Sequence, residues 1–196
     1  DKVGTVISAE VYQIWKKEIL LLDDEDNLGY AGVADVNSPW GYQIAIEDGN
    51  WGDVYKLGEG DANAGTLAFG TENNIPAPDG GLYFFDVSLK ALTYKLTALG
   101  SEIYVAGLNK LEDETWTFEP LPAATTAGVF SGSITITQPS AWGFKIYLFD
   151  NNWDYVYGGN GGKLYYKGNG ITDDATLAPG TYTLTVDLIH ATYTIE

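Results

Sequence analysis

The side chains of this chain best suited to meet a ligand are indoles, because nucleophilic and acid–base partners are scarce. Trp40 and Trp51 bracket WGYQIAIEDGNW, and Trp142 and Trp153 bracket WGFKIYLFDNNW, each pair eleven residues apart. Trp51 and Trp153 fall in polar turns of Asp, Asn and Gly, where a flat apolar ring is left to contact a partner. Trp40 and Trp142 precede a glycine and begin an inward-facing set, so they are expected in the core. His190 is the only histidine and there is no cysteine, so no catalytic triad, thiol nucleophile or His/Cys zinc site can be assembled. A glycosidase needs one carboxyl of raised pKa facing a second carboxylate across a cleft. The acids here sit in turns beside Gly and Asn, where water keeps them ionised. Asp23 to Asn27 lacks the central Gly and distal Glu of a calcium loop and reads as a solvated turn. Neither catalysis nor a cofactor or metal is expected.

The tryptophan stretches belong to a longer repeat. Trp40, Gly41, Ile44, Asp48, Asn50 and Trp51 match Trp142, Gly143, Ile146, Asp150, Asn152 and Trp153 at a constant offset of 102. Trp15 answers Trp116 at 101, and Gly29-Tyr30-x-Gly32 answers Gly128-x-Phe130-x-Gly132 at 99 to 100. Gly81 to Leu96 answers Gly180 to Ile195 at 99. The offset changes only across glycine-rich segments, so insertions fall in loops. The chain therefore reads as two homologous modules, residues 1–99 and 100–196, each of a size suited to one β-domain.

The net charge is −17, and every cation is a lysine. Residues 1–99 hold 16 acids against 6 lysines and residues 100–196 hold 11 against 4, so both modules are acidic. Such surfaces repel phosphate backbones and anionic headgroups, which argues against nucleic-acid or peripheral membrane binding and favours a neutral partner. No apolar run approaches the roughly 18–20 residues that span a bilayer. Residue 1 is not Met, so the chain is expected to be a processed or truncated piece, with any signal peptide or lipid anchor upstream.

Strands are expected over Val3–Leu22 (one or two), Tyr30–Val36, Gln43–Glu47, Leu82–Leu89 and Thr93–Ala98 in the first module. The second offers Glu102–Ala106, Thr115–Glu119, Val129–Thr137, Phe144–Phe149, Gly180–Leu188 and Thr192–Ile195. Short alternating strands punctuated by Gly, Pro and Asn, with no convincing helix, predict two tandem antiparallel β-sandwiches of immunoglobulin-like or carbohydrate-binding-module-like form. Alternation places Phe144, Ile146 and Leu148 inside, with Lys145, Tyr147 and Phe149 outside. By the same count Tyr42, Ile44 and Ile46 face in, and Gln43, Ala45 and Glu47 face out.

The run Asn152-Trp153, Tyr157 to Gly162, Gly168-Asn169-Gly170-Ile171 and Ala178 to Ile195 resembles the SusE/SusF family of starch-binding lipoproteins on the outer surface of Bacteroidetes. Asn50-Trp51-Gly52, Asn74-Ile75-Pro76 and Gly81-Leu82-Tyr83 through Thr93-Tyr94 carry the same signature in the first module. The resemblance spans nearly the whole chain, identifying the module better than the ligand. It implies a surface glycan-binding protein whose sites combine aromatic platforms, a basic or amide side chain on a central strand and an Asn on a later loop. In the second module these are Trp116 and Trp153, Lys145, and Asn169, with Tyr157 able to extend the platform. In the first they are Trp15 and Trp51, Gln43, and Asn74. Gln43 departs from the pattern by replacing the cation, and the Tyr55–Thr71 segment departs in length.

The chemistry agrees with that expectation. A sugar ring has an apolar C–H face and a hydroxyl edge; indoles cover the first, and Lys, Asn or Gln bond the second. Each net hydrogen bond contributes only about 0.5–1.5 kcal/mol, so single sites should be weak and two modules should act together along one polymer. The expected function is non-catalytic polysaccharide binding within an outer-membrane glycan-uptake system, with transporter components as further partners. Two alternatives stay open: a spacer or interaction module that has lost glycan binding, and an accessory domain of a larger glycosidase.

Overall fold

The computed structural model describes residues 7–11, 16–24, 29–45, 52–70 and 73–196, with side chains from residue 29 onward. The chain divides into two compact units, Asp1–Ala98 and Leu99–Glu196. Both are all-β and antiparallel; a single 3₁₀ turn, Asp173–Thr176, interrupts the strands of the second. Among the described residues, no helix is long and apolar enough to cross a membrane.

The first unit contains β1 (Ile7–Val11), β2 (Lys16–Asp24), β3 (Gly29–Val36), β4 (Tyr42–Ala45), β5 (Val54–Gly60), β6 (Ala64–Phe69), β7 (Gly81–Ser88) and β8 (Thr93–Ala98). The strands join in the order β1-β2-β3-β7-β8-β6-β5-β4, and β1 pairs with β4 to close the ring. Tyr42, Ile44, Ile75, Phe85, Val87 and Leu96 fill the interior. Asp23 and Asp24 end β2, so they belong to a strand and not to the expected turn; Glu25 to Asn27 lie outside the described residues.

The second unit contains β9 (Glu102–Ala106), β10 (Phe118–Pro122), β11 (Val129–Ile136), β12 (Lys145–Tyr147), β13 (Val156–Asn160), β14 (Lys163–Tyr166), β15 (Gly180–Asp187) and β16 (Thr192–Ile195). Its order, β10-β9-β12-β13-β14-β16-β15-β11, is the first unit's ring with each strand replaced by its repeat partner. The ring is open at one seam. There β10 and β11 are joined only near their ends by the single bridge Ala123 to Phe130. β10 reads FEPLP, and Pro120 and Pro122 have no N–H to offer a second neighbour.

The expected sandwich thus takes the form of one continuous eight-stranded sheet in each unit, closed in the first and open at one seam in the second. Pairs β5–β6 and β13–β14 were not among the expected strands. In β5 and β13 the sequences VYKLGEG and VYGGN hide the period of two behind residues without side chains. The repeat survives at atomic detail. Ser88 Oγ accepts from Ala91 N at 3.1 Å in the β7–β8 turn, and Asp187 Oδ1 accepts from His190 N at 3.0 Å in the β15–β16 turn.

Inward residues follow the alternation: Phe144, Ile146 and Leu148 are buried, as are Tyr42 and Ile44. The outward residues do not all reach water. Tyr147, Gln43 and Ala45 are buried too. Alternation tells which side of the sheet a residue occupies, but not whether something covers that side.

Candidate functional site

On the second unit the outer face of the sheet carries an aromatic cluster. Cross-strand register puts Phe118, Ala106 and Lys145 in one row, and Tyr104 and Tyr147 in the next. Tyr147 lies against Phe118, with ring centroids 4.9 Å apart, and Trp153 covers Tyr147 at 5.1 Å. Trp116 meets Trp153 edge-on, also at 5.1 Å and 82°. The two tryptophans assigned as platforms from sequence are therefore brought together, although they are 37 positions apart. Trp153 remains 47% exposed and Trp116 is half-buried.

Local structure explains both placements. Asn151 takes φ 49° and Asn152 Oδ1 accepts from Asp154 N at 3.0 Å, folding the turn after β12 back so that Trp153 lies over Tyr147. Such backbone suits Asn, whose short side chain bonds its own turn. Trp116 packs across Gly107: a Cβ there would fall 2.5 Å from the indole Cζ3. Lys110 is buried below it, with Nζ 5.3 Å from the ring centroid and donating to the carbonyls of Leu111 and Glu112. A cation under an indole face polarises and fixes it. Sequence reasoning missed Lys110, Phe118 and Tyr147 as parts of this face. The outward register of Tyr147 was the one available signal.

Lys145 stands on this face, half-buried, and its ammonium makes no hydrogen bond or ion pair among the described residues. Continuing the β12–β13 register by one residue from Ile146–Tyr157 sets Lys145 beside Gly158. A Cβ on Gly158 would fall 1.8 Å from the Asn169 carbonyl oxygen, so the Gly168–Gly170 loop rests directly on β13. Gly159 N donates to that same carbonyl at 3.0 Å, and the side chain of Asn169 is exposed. Trp116, Trp153, Lys145 and Asn169 thus line one face. Tyr157 does not join them: it pairs with Ile146, points to the opposite side and is 3% exposed.

The described residues of the first unit do not show this arrangement. Gln43 is 2% exposed, so its amide is withdrawn from solvent. Trp15 and Trp51 lie outside the described residues. Asn74 is half-buried and donates from Nδ2 to the Trp40 carbonyl at 3.2 Å. The backbone match to Asn169 is its neighbour Asn73, whose carbonyl accepts from Leu57 N at 3.1 Å as Asn169 accepts from Gly159 N.

Trp40 and Trp142 overturn the core expectation outright: each is 60% exposed. The strand alternation starts only at Tyr42 and Phe144. Before them Gly41 and Gly143 take φ +81° and +71°, a turn conformation in which a count of two no longer applies.

Burial pushes the Tyr147 phenol well above its ordinary range, and its hydroxyl has no partner, so it neither ionises nor reaches a ligand. Tyr104 is raised by the hydrogen bond it donates to Glu102 at 2.7 Å. Among the described residues there is no group of three or more His, Cys, Asp or Glu placed to hold a metal. His190 is exposed, with Nδ1 2.7 Å from Asp187 Oδ2.

A family described only as a domain of unknown function, DUF8037, matches residues 9–98, ending where the first unit ends. The crystal structure of SusF from Bacteroides thetaiotaomicron aligns with all of this chain at 17% identity and a TM-score of 0.36, a likeness too distant to assign a fold. The chain spans 48% of that protein's length. No curated protein sequence matches the chain.

Proposed function

We propose that this chain is a non-catalytic, neutral-polysaccharide-binding part of a surface lipoprotein serving an outer-membrane glycan-uptake system, with its working site on the outer face of the second unit. The observation that carries this reading is the meeting of Trp116 and Trp153, edge to face, beside Lys145 and the Asn169 loop. Two packed indoles offer flat apolar area at low conformational cost, and an amine and an amide at its margin can bond hydroxyls. A net charge of −17 disfavours anionic ligands. On the first unit, the burial of Gln43 favours a spacer role for the corresponding face.

Affinity electrophoresis through gels containing soluble starch, arabinoxylan or galactomannan tests the reading. One glycan should retard the native chain, and Trp153→Ala or Lys145→Ala should release it. Unchanged migration of the native chain on every glycan would return the aromatic face to a packing role.

A further inference from the structure

We propose that the two Ser-x-Trp-Gly turns, Ser38–Gly41 and Ser140–Gly143, are a second kind of sugar-stacking element, in which Trp40 and Trp142 each take the C–H face of a neutral glycan unit. This rests on the polysaccharide-binding reading, and extends it to a position in both units.

The two turns are built alike. Both serines are buried, both tryptophans are 60% exposed, and both glycines have left-handed backbone. In each turn the glycine N–H faces the serine carbonyl, at 3.5 Å for Gly41 and 3.3 Å for Gly143. A Cβ on Gly41 would fall 2.1 Å from the Ile75 carbonyl oxygen, and one on Gly143 would fall 2.5 Å from that of Ile171. The residue after each glycine then exchanges backbone hydrogen bonds with that same isoleucine: Tyr42 with Ile75, both 2.9 Å, and Phe144 with Ile171, 3.0 and 2.7 Å. The main chain behind each indole is thus clamped, while the ring is left in water.

Additional bonds hold each turn. Trp40 N donates to Ser38 Oγ at 3.2 Å, and Asn74 holds the Trp40 carbonyl. In the second unit the fully buried Asp174 accepts from both Ser140 N, at 3.0 Å, and Ser140 Oγ, at 2.7 Å. The other Asp174 oxygen has no partner. A buried carboxylate with an unmet oxygen is a costly way to fix a surface turn, and it favours a need for that turn's position. With the main chain fixed, only the two side-chain torsions of each indole are left to order when a ligand stacks on it.

Position ties Trp142 to the aromatic face. Ala141 N donates to the Lys110 carbonyl at 2.8 Å, linking the turn to the loop that carries Trp116. On its other side a Cβ on Gly170 would fall 2.1 Å from the Trp142 carbonyl, so the turn also abuts the Asn169 loop. The turn that carries Trp142 thus adjoins both loops that bear the aromatic-face residues Trp116 and Asn169. Trp40 supplies the first unit with a platform that does not depend on Gln43. Each unit then carries an indole of its own for a glycan.

The test compares Trp40→Ala, Trp142→Ala, their double variant and Trp153→Ala by affinity electrophoresis on the same three polysaccharides, with thermal unfolding as the fold check. Each turn variant should lose about two- to tenfold in affinity for the glycan that retards the native chain, and the double variant more. In the native chain, saturating glycan should also reduce acrylamide quenching of tryptophan fluorescence, and that protection should shrink in the double variant. Native-like retardation of the double variant, with loss in Trp153→Ala, overturns the inference and leaves the aromatic-face site standing. Loss in the turn variants with none in Trp153→Ala keeps the inference and removes that site. A native chain that no glycan retards sinks both. A double variant that changes the sedimentation of the protein but not its retardation makes the turns protein contacts, and the inference fails.

Discussion

At the scale of single residues, the outer face of the second unit is governed by what each side chain must share space with. The Tyr147 hydroxyl is buried without a partner, an arrangement that costs about 1–3 kcal/mol. Tyr147→Phe keeps the ring against Phe118 and Trp153 and removes the orphan, so equilibrium denaturation should show stability unchanged or raised by up to about 1 kcal/mol; a clear loss would reveal an unseen partner. Gly158→Ala is the opposite case. Its Cβ would fall 1.8 Å from the Asn169 carbonyl, so the loop must lift, with an expected loss of about 1–3 kcal/mol and weakened glycan retention. Gly100→Ala, where nothing lies within 4 Å, is the control and should change neither. The alternation WGFKIYLF sorted Phe144, Ile146 and Leu148 correctly in advance, because their burial follows from which side of the sheet they occupy. It was misleading for Trp142 and incomplete for Tyr147, because one precedes the strand in a left-handed turn and the other is covered by Trp153 folding back across a turn and by Phe118 from a distant strand.

At the scale of elements, the two units share a ring of strands and differ at one seam. Between β10 and β11 the described ladder is a single bridge, and Pro120 and Pro122 explain why. Along β11 every amide directed at β15 is in a continuous ladder, whereas alternate ones face the seam. Hydrogen exchange from Ser131 to Ile136 should therefore alternate between slow and fast amides; uniform protection would mean that the ring is closed in solution. The strands Thr93–Ala98, Glu102–Ala106 and Thr192–Ile195 were legible to the residue, since they alternate cleanly between turn-forming residues. β5, β6 and β13 were not, since glycine removes the signal that periodicity reads, and β14 is only four residues long.

At the scale of the whole molecule, burial of tyrosines in both units couples stability to alkaline pH. Burial, aided by the Asp61 carboxylate, pushes the Tyr94 phenol up to about 12 from an ordinary 10.0. Tyr42, Tyr147 and Tyr193 are raised as well, burial being the largest cause in each. A phenol that holds its proton longer when folded gives a stability that is full below the unfolded pKa and lost as pH climbs through the folded one. Urea midpoints should hold steady to about pH 10 and fall towards pH 12, with phenolate absorbance from these residues appearing only on unfolding. A level midpoint across that range would show that the four hydroxyls reach water in the folded state. The sequence alone determined the repeat, the all-β antiparallel class and the acidity, because composition, period and spacing are local or counted along the chain; Trp116 and Trp153 entered as candidate platforms through the family resemblance. Only the tertiary structure decided that Trp116 and Trp153 touch, that Gln43 and Tyr157 are withdrawn, and that Trp40 and Trp142 stand in solvent. The physical reason is that exposure depends on which distant segments cover a face and on where left-handed glycines break a strand, and neither leaves a period in the sequence.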